Sequence, residues 1–380
     1  MAGRQLDMDE AQSKQILIAG YYGFGNIGDE AILAALLSRL KREFPHVKLT
    51  VLSHCPRLTA QLHQTETINR WNPWQLRRAL MKSTVFVLGG GGLLQDRTSQ
   101  RSLAYYLGLI EWAKRYKKPV YLLGQGIGPL RRATSKSRLL STLAEVELIV
   151  VRDSESYKEL LSLGLAEKNV LLGQDLALLL EEFATPEIKT RTEESHICVV
   201  LQRGLRPTQL TMLADALDQI HAETGISTLA VPFFRTQDLP SCRQLIAAMR
   251  APSKLWHPSE IAWPDLLAVL GGSQVVVGMR LHSLILALSL QVPFLAINYD
   301  PKMARFANQV RELSGLCLPI WEQNGWKSAE IHGDLTMILR QKDGMRPRLE
   351  AARSMMTRHA EKALGFALGS MNKFVGREES

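Results

Sequence analysis

The sequence predicts an α/β protein of two Rossmann-like domains facing each other across a cleft. Three observations carry this. Short apolar runs end again and again in glycine-rich or polar turns and then lead into helical stretches, the alternation that builds parallel sheets with right-handed crossovers. A charged, aperiodic stretch at 181–195, containing Pro186, interrupts the alternation once and reads as a linker. Beyond it the scheme resumes, with cations at the strand ends where the first half has mainly glycines.

In the first half, 16–19 reads as a strand, followed by a glycine-rich turn and a helix over 29–44. Further strands are expected at 47–52, at 85–88 running into four consecutive glycines (89–92), and at 120–123 running into Gly124-Gln125-Gly126-Ile127-Gly128-Pro129. The strand 148–151 runs into Arg152-Asp153-Ser154, whose Asp or Ser can cap the next helix. In the second half, strands are expected at 197–201, 228–231, 275–277, 294–297 and 316–320. The β-branched run from Val275 stops abruptly at Arg280 and His282, and 284–290 reads as a helix. If 279–282 stays extended, Arg280 and His282 point the same way and Leu281 points into the core. The stretch 350–374 reads as an amphipathic helix with Lys and Arg on its polar side. The expected domains are therefore 1–185, 186–345 and a final helical segment, 346–380, that packs on the first.

The chain has 380 residues, 46% hydrophobic and 22% charged, an ordinary composition for a globular protein with two cores of good size. Lys+Arg exceed Asp+Glu by 46 to 37, a net charge of +9, which suits an anionic partner or merely a solvated face. Cys55, Cys198, Cys242 and Cys317 show no CxxC spacing, and Cys198 and Cys317 lie in apolar, strand-like runs. They read as reduced core residues, pointing to the cytosol. Residues 1–15 lack the apolar segment of a signal peptide, and no run reaches the ~20 apolar residues of a membrane span. The longest candidate, 275–297, is broken by Arg280, His282 and Pro293. The histidines include no closely spaced ligand pair, so no metal is expected, although carboxylates could hold magnesium.

Gly23-Phe24-Gly25-Asn26-Ile27-Gly28 satisfies GxGxxG between a strand and a helix. Two details count against a dinucleotide. Asp29 and Glu30 open the helix, where a pyrophosphate would meet like charge, and the second strand ends at Ser53-His54 without the acid that grips a ribose. The glycines could serve only a tight turn. The better functional reading has Asn26, Asp29 and Glu30 bonding the hydroxyls of a neutral, sugar-like ligand, and Gln95 and Asp96 after the four glycines doing the same. The strand ends of the second domain carry Arg203 and Arg206, then Arg235, then Arg280 and His282, then Lys302 and Arg305. Any one of these could simply be solvated. Together, on the carboxyl edge of one parallel sheet, they suggest a pocket for a multiply charged anion, since arginine forks match phosphate and carboxylate oxygens.

As a set, residues 20–31, 89–96, 124–130, 151–154, 278–282 and 299–302 resemble the polysaccharide pyruvyl transferases, in one consistent order over about 16–310. The nearest likeness is to the bacterial branch that modifies cell-surface polymers. The resemblance implies a GT-B-like fold, phosphoenolpyruvate as donor, and as acceptor a sugar of a surface glycan or its lipid-linked precursor. It further implies a pyruvate ketal as product, phosphate release and no cofactor. It assigns Arg280 and His282 to donor binding and proton supply, and Arg152 and Lys302 to donor binding. Gln202-Arg203-Gly204-Leu205-Arg206-Pro207 offers two candidates, Arg203 and Arg206, for the arginine of a Leu-Arg-Pro element, and Gln174-Asp175-Leu176 departs from the family's Gly-Asp-Pro.

On this reading His282, as general acid, protonates the donor methylene. A phosphate at ~4 Å outweighs the half-charge of a helix start, so His282 is expected to be charged once donor binds. Glu30 and Asp96 are candidates for the base. The positive charge also suits peripheral contact with an anionic membrane face, with the basic final helix a candidate for it beside the simpler reading that this helix packs on the first domain. The rivals are a nucleotide-sugar glycosyltransferase and a non-catalytic, two-lobed sugar or anion receptor. A nucleic-acid binder ranks last, because no basic stretch is interleaved with stacking aromatics.

Overall fold

The computed structural model describes residues 14–97, 99–183, 195–256, 263–322 and 326–376. Among these, residues within Met1–Phe24, Asp29–Leu176 and Arg358–Ser380 form one compact unit, and those within Gly25–Gly28 and Ala177–Thr357 form a second. Most of the expected linker, 184–194, lies outside the described residues.

The first unit is built on a parallel sheet. Its strands are β1 (Gln15–Ala19), β2 (Lys48–Ser53), β3 (Glu66–Asn69), β4 (Val85–Leu88), β5 (Gly91–Leu94), β6 (Val120–Ile127), β7 (Leu148–Val151) and β8 (Val170–Leu172). The order is β3-β2-β1-β4-β6-β7-β8, with β5 also pairing β6. Strands β1, β4 and β7 are buried at every residue, as near-continuous apolar runs in a sheet covered on both faces should be. The helices between them are α1 (Ile27–Glu43), α2 (Pro56–His63), α3 (Pro73–Lys82), α4 (Gln100–Arg115), α5 (Ala133–Leu143) and α6 (Ser154–Ser162). Helix α6 is capped by Asp153, whose carboxylate accepts the Ser156 N–H at 2.8 Å.

The second unit holds a six-stranded parallel sheet, ordered β11-β10-β9-β12-β13-β14. Its strands are β9 (His196–Val200), β10 (Ser227–Ala230), β11 (Ser253–Leu255), β12 (Ser273–Gly278), β13 (Phe294–Asn298) and β14 (Ile320–Glu322). The helices are α7 (Pro207–Thr224), α8 (Arg235–Ala248), α9 (Trp263–Gly271), α10 (Leu281–Ser289), α11 (Pro301–Ser314) and α12 (Ser328–Val375).

Several expectations are corrected. Helix α10 starts at Leu281 with Arg280 as its cap, so 279–282 is not one extended segment; Leu281 is nonetheless buried. The strand expected at 316–320 begins only at Ile320, and Cys317 is exposed rather than in the core. Strands β3 and β11 were not expected because they are edge strands with polar sequences, Glu-Thr-Ile-Asn and Ser-Lys-Leu. The final helix is far longer than 350–374.

The end of α12 belongs to the first unit, where Leu364, Ala367, Leu368 and Met371 are buried at helical spacing. Arg39 meets Glu361 at 2.8 Å, Lys373 meets Glu147 at 2.9 Å, and the Tyr121 hydroxyl lies 3.1 Å from Ser370 Oγ. Packing therefore engages this end of the helix. Among the described residues, no helix is long and apolar enough to cross a membrane.

Candidate active site

Four neighbouring strands of the second sheet, β10-β9-β12-β13, run parallel, so the residues that follow them gather on one carboxyl edge. This edge receives Arg235 after β10, Arg203 and Arg206 after β9, Arg280 and His282 after β12, and Lys302 after β13.

Arg280 is the most constrained of these. Its Nε donates to Asp238 Oδ2 at 3.1 Å, and its terminal nitrogen donates to Asp238 Oδ1 and, at 3.4 Å, to Gln237 Oε1. The guanidinium also lies 5.9 Å from the centre of the Phe234 ring. Asp238 is fully buried in the first turn of α8 and accepts the Phe234 N–H at 2.7 Å. Burial pushes its pKa above the usual carboxylate value, although Arg280 and the Phe234 and Phe233 N–H groups oppose the rise. The buried carboxylate fixes the arginine fork in one orientation, the preorganisation that recognition of a planar anion needs.

His282 stands in the first turn of α10, half-buried. The turn Gly25–Gly28 groups with this unit. Asn26 bridges to Phe234, the Ile27 N–H donates to the Phe233 carbonyl at 2.9 Å, and Asn26 Oδ1 accepts the Gly28 N–H at 3.2 Å. A Cβ on Gly28 would lie 2.0 Å from His282 Nδ1. The last glycine of the GxGxxG string is therefore required by the imidazole packed over it, which is a reason unrelated to a pyrophosphate.

The remaining cations are less tightly held. Lys302 follows Pro301 in the first turn of α11, with Nζ 3.8 Å from Asp300, whose side chain also caps the helix by accepting the Lys302 N–H at 3.2 Å. Arg203 is exposed in the turn after β9. Arg206 is the residue before α7, and its N–H and Nε donate to Gln209 Oε1 at 3.0 and 3.3 Å.

Arg152 belongs to the first unit, at the end of β7. It is buried, donates to Asp175 Oδ2 at 2.8 Å and lies 3.7 Å from Asp153. Burial would lower its pKa, but the carboxylates of Asp175, Asp153 and Asp29 more than offset this and raise it. A Cβ on Gly126 would lie 2.8 Å from Arg152 Nε, so the arginine fills space that only a glycine leaves.

The acceptor-side expectations fare unevenly. Asp29 is buried at the start of α1, where its charge acts on Arg152 and on the hydroxyls of Tyr21 and Tyr22. Gln95 Oε1 accepts the Arg97 N–H at 2.8 Å. The carboxylates of Glu30 and Asp96, expected to grip sugar hydroxyls or act as base, both bond the protein itself. Glu30 is buried, with Oε1 accepting the Gly23 N–H at 2.7 Å and Oε2 2.9 Å from His63 Nε2. Asp96 accepts the N–H groups of Arg131 and Arg132 at 2.8 and 3.1 Å. Both acids bond backbone N–H groups of the neighbouring turns.

Sequence reasoning gave no role to Asp238 or to Asp175. The signal for Asp238 was an acid three residues into a helix whose strand end carries other charges. For Asp175 it was the one residue of Gln174-Asp175-Leu176 that keeps the family's acid. Among the described residues, no group of His, Cys, Asp and Glu is arranged to hold a metal.

The chain resembles known proteins in sequence and in fold. It is 21% identical over 356 residues to the amylovoran biosynthesis protein AmsJ of Erwinia amylovora, covering 76% of this chain and 84% of that protein. Among solved structures it is similar to UDP-GlcNAc 2-epimerase from Neisseria meningitidis bound to UDP-GlcNAc, with TM-score 0.64 and 12% identity over 95% of this chain and 100% of that one. It is also similar to Anabaena Alr3699/HepE in complex with UDP and glucose, with TM-score 0.62 and 12% identity over 94% and 100% of the two chains. These likenesses show the fold, a GT-B-like pair of Rossmann-like units. The sequence matches the family described as polysaccharide pyruvyl transferase over residues 26–301. That span includes the glycine turn from Asn26, Arg152, Asp175, Asp238, Arg280 and His282, and the chain belongs to the polysaccharide pyruvyl transferase family of enzymes.

Proposed function

We propose that this enzyme transfers pyruvate from phosphoenolpyruvate, as a ketal, to two hydroxyls of a sugar in a cell-surface polysaccharide or its lipid-linked precursor, and releases phosphate. The observation that carries the reading is the pairing of Arg280, its fork held by buried Asp238, with His282 one residue beyond it at the start of α10. A fixed arginine orients the phosphate and carboxylate of a small trianion, and an imidazole beside it can deliver a proton.

The chemistry follows from the donor. Its vinyl carbon becomes electrophilic only when the methylene is protonated. His282 gives that proton, turning the methylene into a methyl group as cationic character develops at C2. One sugar hydroxyl then bonds to C2, and its proton returns to the imidazole. A second hydroxyl displaces phosphate from the same carbon, its proton leaves with the phosphate, and the ketal closes. Arg280, with Arg203 or Arg206 and Lys302, neutralises the anion. A donor that supplies its own leaving group needs no cofactor. With a lipid-linked acceptor, the enzyme works at the anionic inner face of the cell membrane.

The test is phosphate release from phosphoenolpyruvate with a panel of lipid-linked or aryl disaccharides. Release that requires both substrates, with a pyruvate ketal on the sugar, is expected. No release with any acceptor, together with tight binding of a UDP-sugar, would overturn the proposal and favour a nucleotide-sugar transferase, the chemistry of ligand named in the solved relatives.

A further inference from the structure

The first unit presents a surface that the proposed reaction does not use. Asn72 caps α3 by accepting the N–H groups of Trp74 and Gln75, both at 3.1 Å, and Pro73 opens the helix. Leu76, Ala79 and Leu80 turn inward and are buried. The opposite face carries Trp74, Arg78 and Met81 at i, i+4 and i+7, with Arg77 and Lys82 beside them and Trp71 just ahead of the helix. Trp74 is 77% exposed, Trp71 57% and Met81 52%. These are three of the six exposed large hydrophobic residues among the described ones, and all fall within 71–81.

Trp71 does not hang loose. Its indole N–H donates to His54 Nδ1 at 3.0 Å, and its ring leans on Tyr105 at 5.4 Å. Buried Arg70 lies 5.1 Å from the centre of the same ring and anchors to the Gly20 carbonyl at 2.9 Å. More cations border the face from the end of α4. Arg77 Nε donates to the Tyr116 hydroxyl at 3.1 Å, and Lys118 Nζ donates to the Met81 carbonyl at 3.0 Å. These bonds set Lys118 and the end of α4 beside the cationic face of α3. Neither 70–82 nor 112–118 contains an acidic residue.

We propose that this face docks on an anionic lipid bilayer. Tryptophan favours the headgroup level, where the ring meets acyl chains and the N–H stays wet, and lysine and arginine flanking it meet lipid phosphates. A helix of ten residues is too short to span a bilayer, so it lies in the interface. A sugar-stacking platform would also expose tryptophan, but it would offer acids or amides to the hydroxyls; here the side-chain oxygens of Asn69, Asn72 and Gln75 accept backbone N–H groups, and the charged groups are all cations. Charge complementarity chooses the bilayer. The inference deepens the reading of a lipid-linked acceptor and is independent of the donor.

The test is flotation of the full chain with phosphatidylcholine vesicles, with and without phosphatidylglycerol, at low and high salt. Binding should require the anionic lipid and weaken with salt. Arg78→Glu with Lys82→Glu should reduce partitioning by about thirtyfold or more, each cation at the surface being worth ~1 kcal/mol. Trp74→Ser, at the more exposed of the two tryptophans, should reduce it too, while each variant keeps the wild-type melting curve and the wild-type phosphate release on a soluble aryl disaccharide. That last readout separates failure here from failure of the proposed reaction. Absence of binding by the wild-type chain, equal binding by the charge-reversal variant, or loss on tryptophan removal of affinity for a soluble glycan alone would overturn the proposal.

Discussion

The two sheets place acids and arginines at their carboxyl edges, but they use the acids differently. In the first unit, Glu30 and Asp96 bond backbone N–H groups and shape turns, while Asp175 holds Arg152 in a buried pair. In the second, Asp238 aims Arg280, which stays partly exposed at the strand end beside the half-buried His282. A carboxylate at a strand end is thus as often scaffolding as chemistry. The cation it holds, and whether that cation is accessible, separates the two cases.

The largest expected effect breaks the chemistry at the second edge alone. Replacing His282 with alanine or glutamine removes the proposed acid, and turnover by phosphate release should fall by about 10²- to 10⁴-fold with little change in KM for the donor. Near-normal turnover would end the acid role and leave His282 as the group packed on Gly28.

The next test sets the two held arginines against each other. Asp238→Asn keeps the shape but removes the charge that fixes Arg280, so KM for the donor should rise roughly tenfold as the fork loses its orientation. Asp175→Asn should act more on folding than on KM, because Arg152 is the more buried of the two cations. A buried charge stripped of its partner typically costs about 3–5 kcal/mol, readable in urea denaturation. If both variants only destabilise, neither pair is poised for a ligand.

Gly28→Ala probes the same edge from the other side. Its methyl group would fall 2.0 Å from His282 Nδ1, so the imidazole must move. Catalytic groups tolerate little displacement, and a loss of about tenfold or more in turnover is expected, with a smaller loss of stability. Gly369→Ala is the control, since a Cβ there meets nothing within 4 Å.

Much of this arrangement is legible in the sequence, and the exceptions have physical causes. Interior strands such as β4 and β12 are apolar because parallel strands are covered on both faces, and their ends announce themselves in glycine or arginine. Edge strands carry no such pattern; β3 and β11 look like loops until hydrogen bonding pairs them. The gathering of cations on one edge was readable because the strands that precede them are apolar and parallel. Their partners were not, since Asp238 and Asp175 look like surface acids in a linear string. The backbone bonds of Glu30 and Asp96 were hidden for the same reason: sequence shows a carboxylate near a glycine turn, but not which N–H it faces.

The smallest effect concerns Asp96 and isolates the scaffolding role. Burial opposes its charge, but the Arg131 N–H, the Ser135 hydroxyl and the Arg132 N–H all bond the carboxylate and lower its pKa below the ordinary value. A pKa lower in the folded than in the unfolded chain gives stability that is present above the unfolded value, near 3.8, and is lost as pH falls through the folded one. Asp96→Asn keeps one acceptor oxygen and removes the charge. It should cost about 1–2 kcal/mol at neutral pH, and the gap to wild type should narrow below about pH 4. Turnover at saturating substrates should stay near wild type if the carboxylate's task is to bond the 131–132 backbone. A large loss of turnover without a loss of stability would return Asp96 to the acceptor site or to the role of base, and the contrast between the two edges would lose one of its supports.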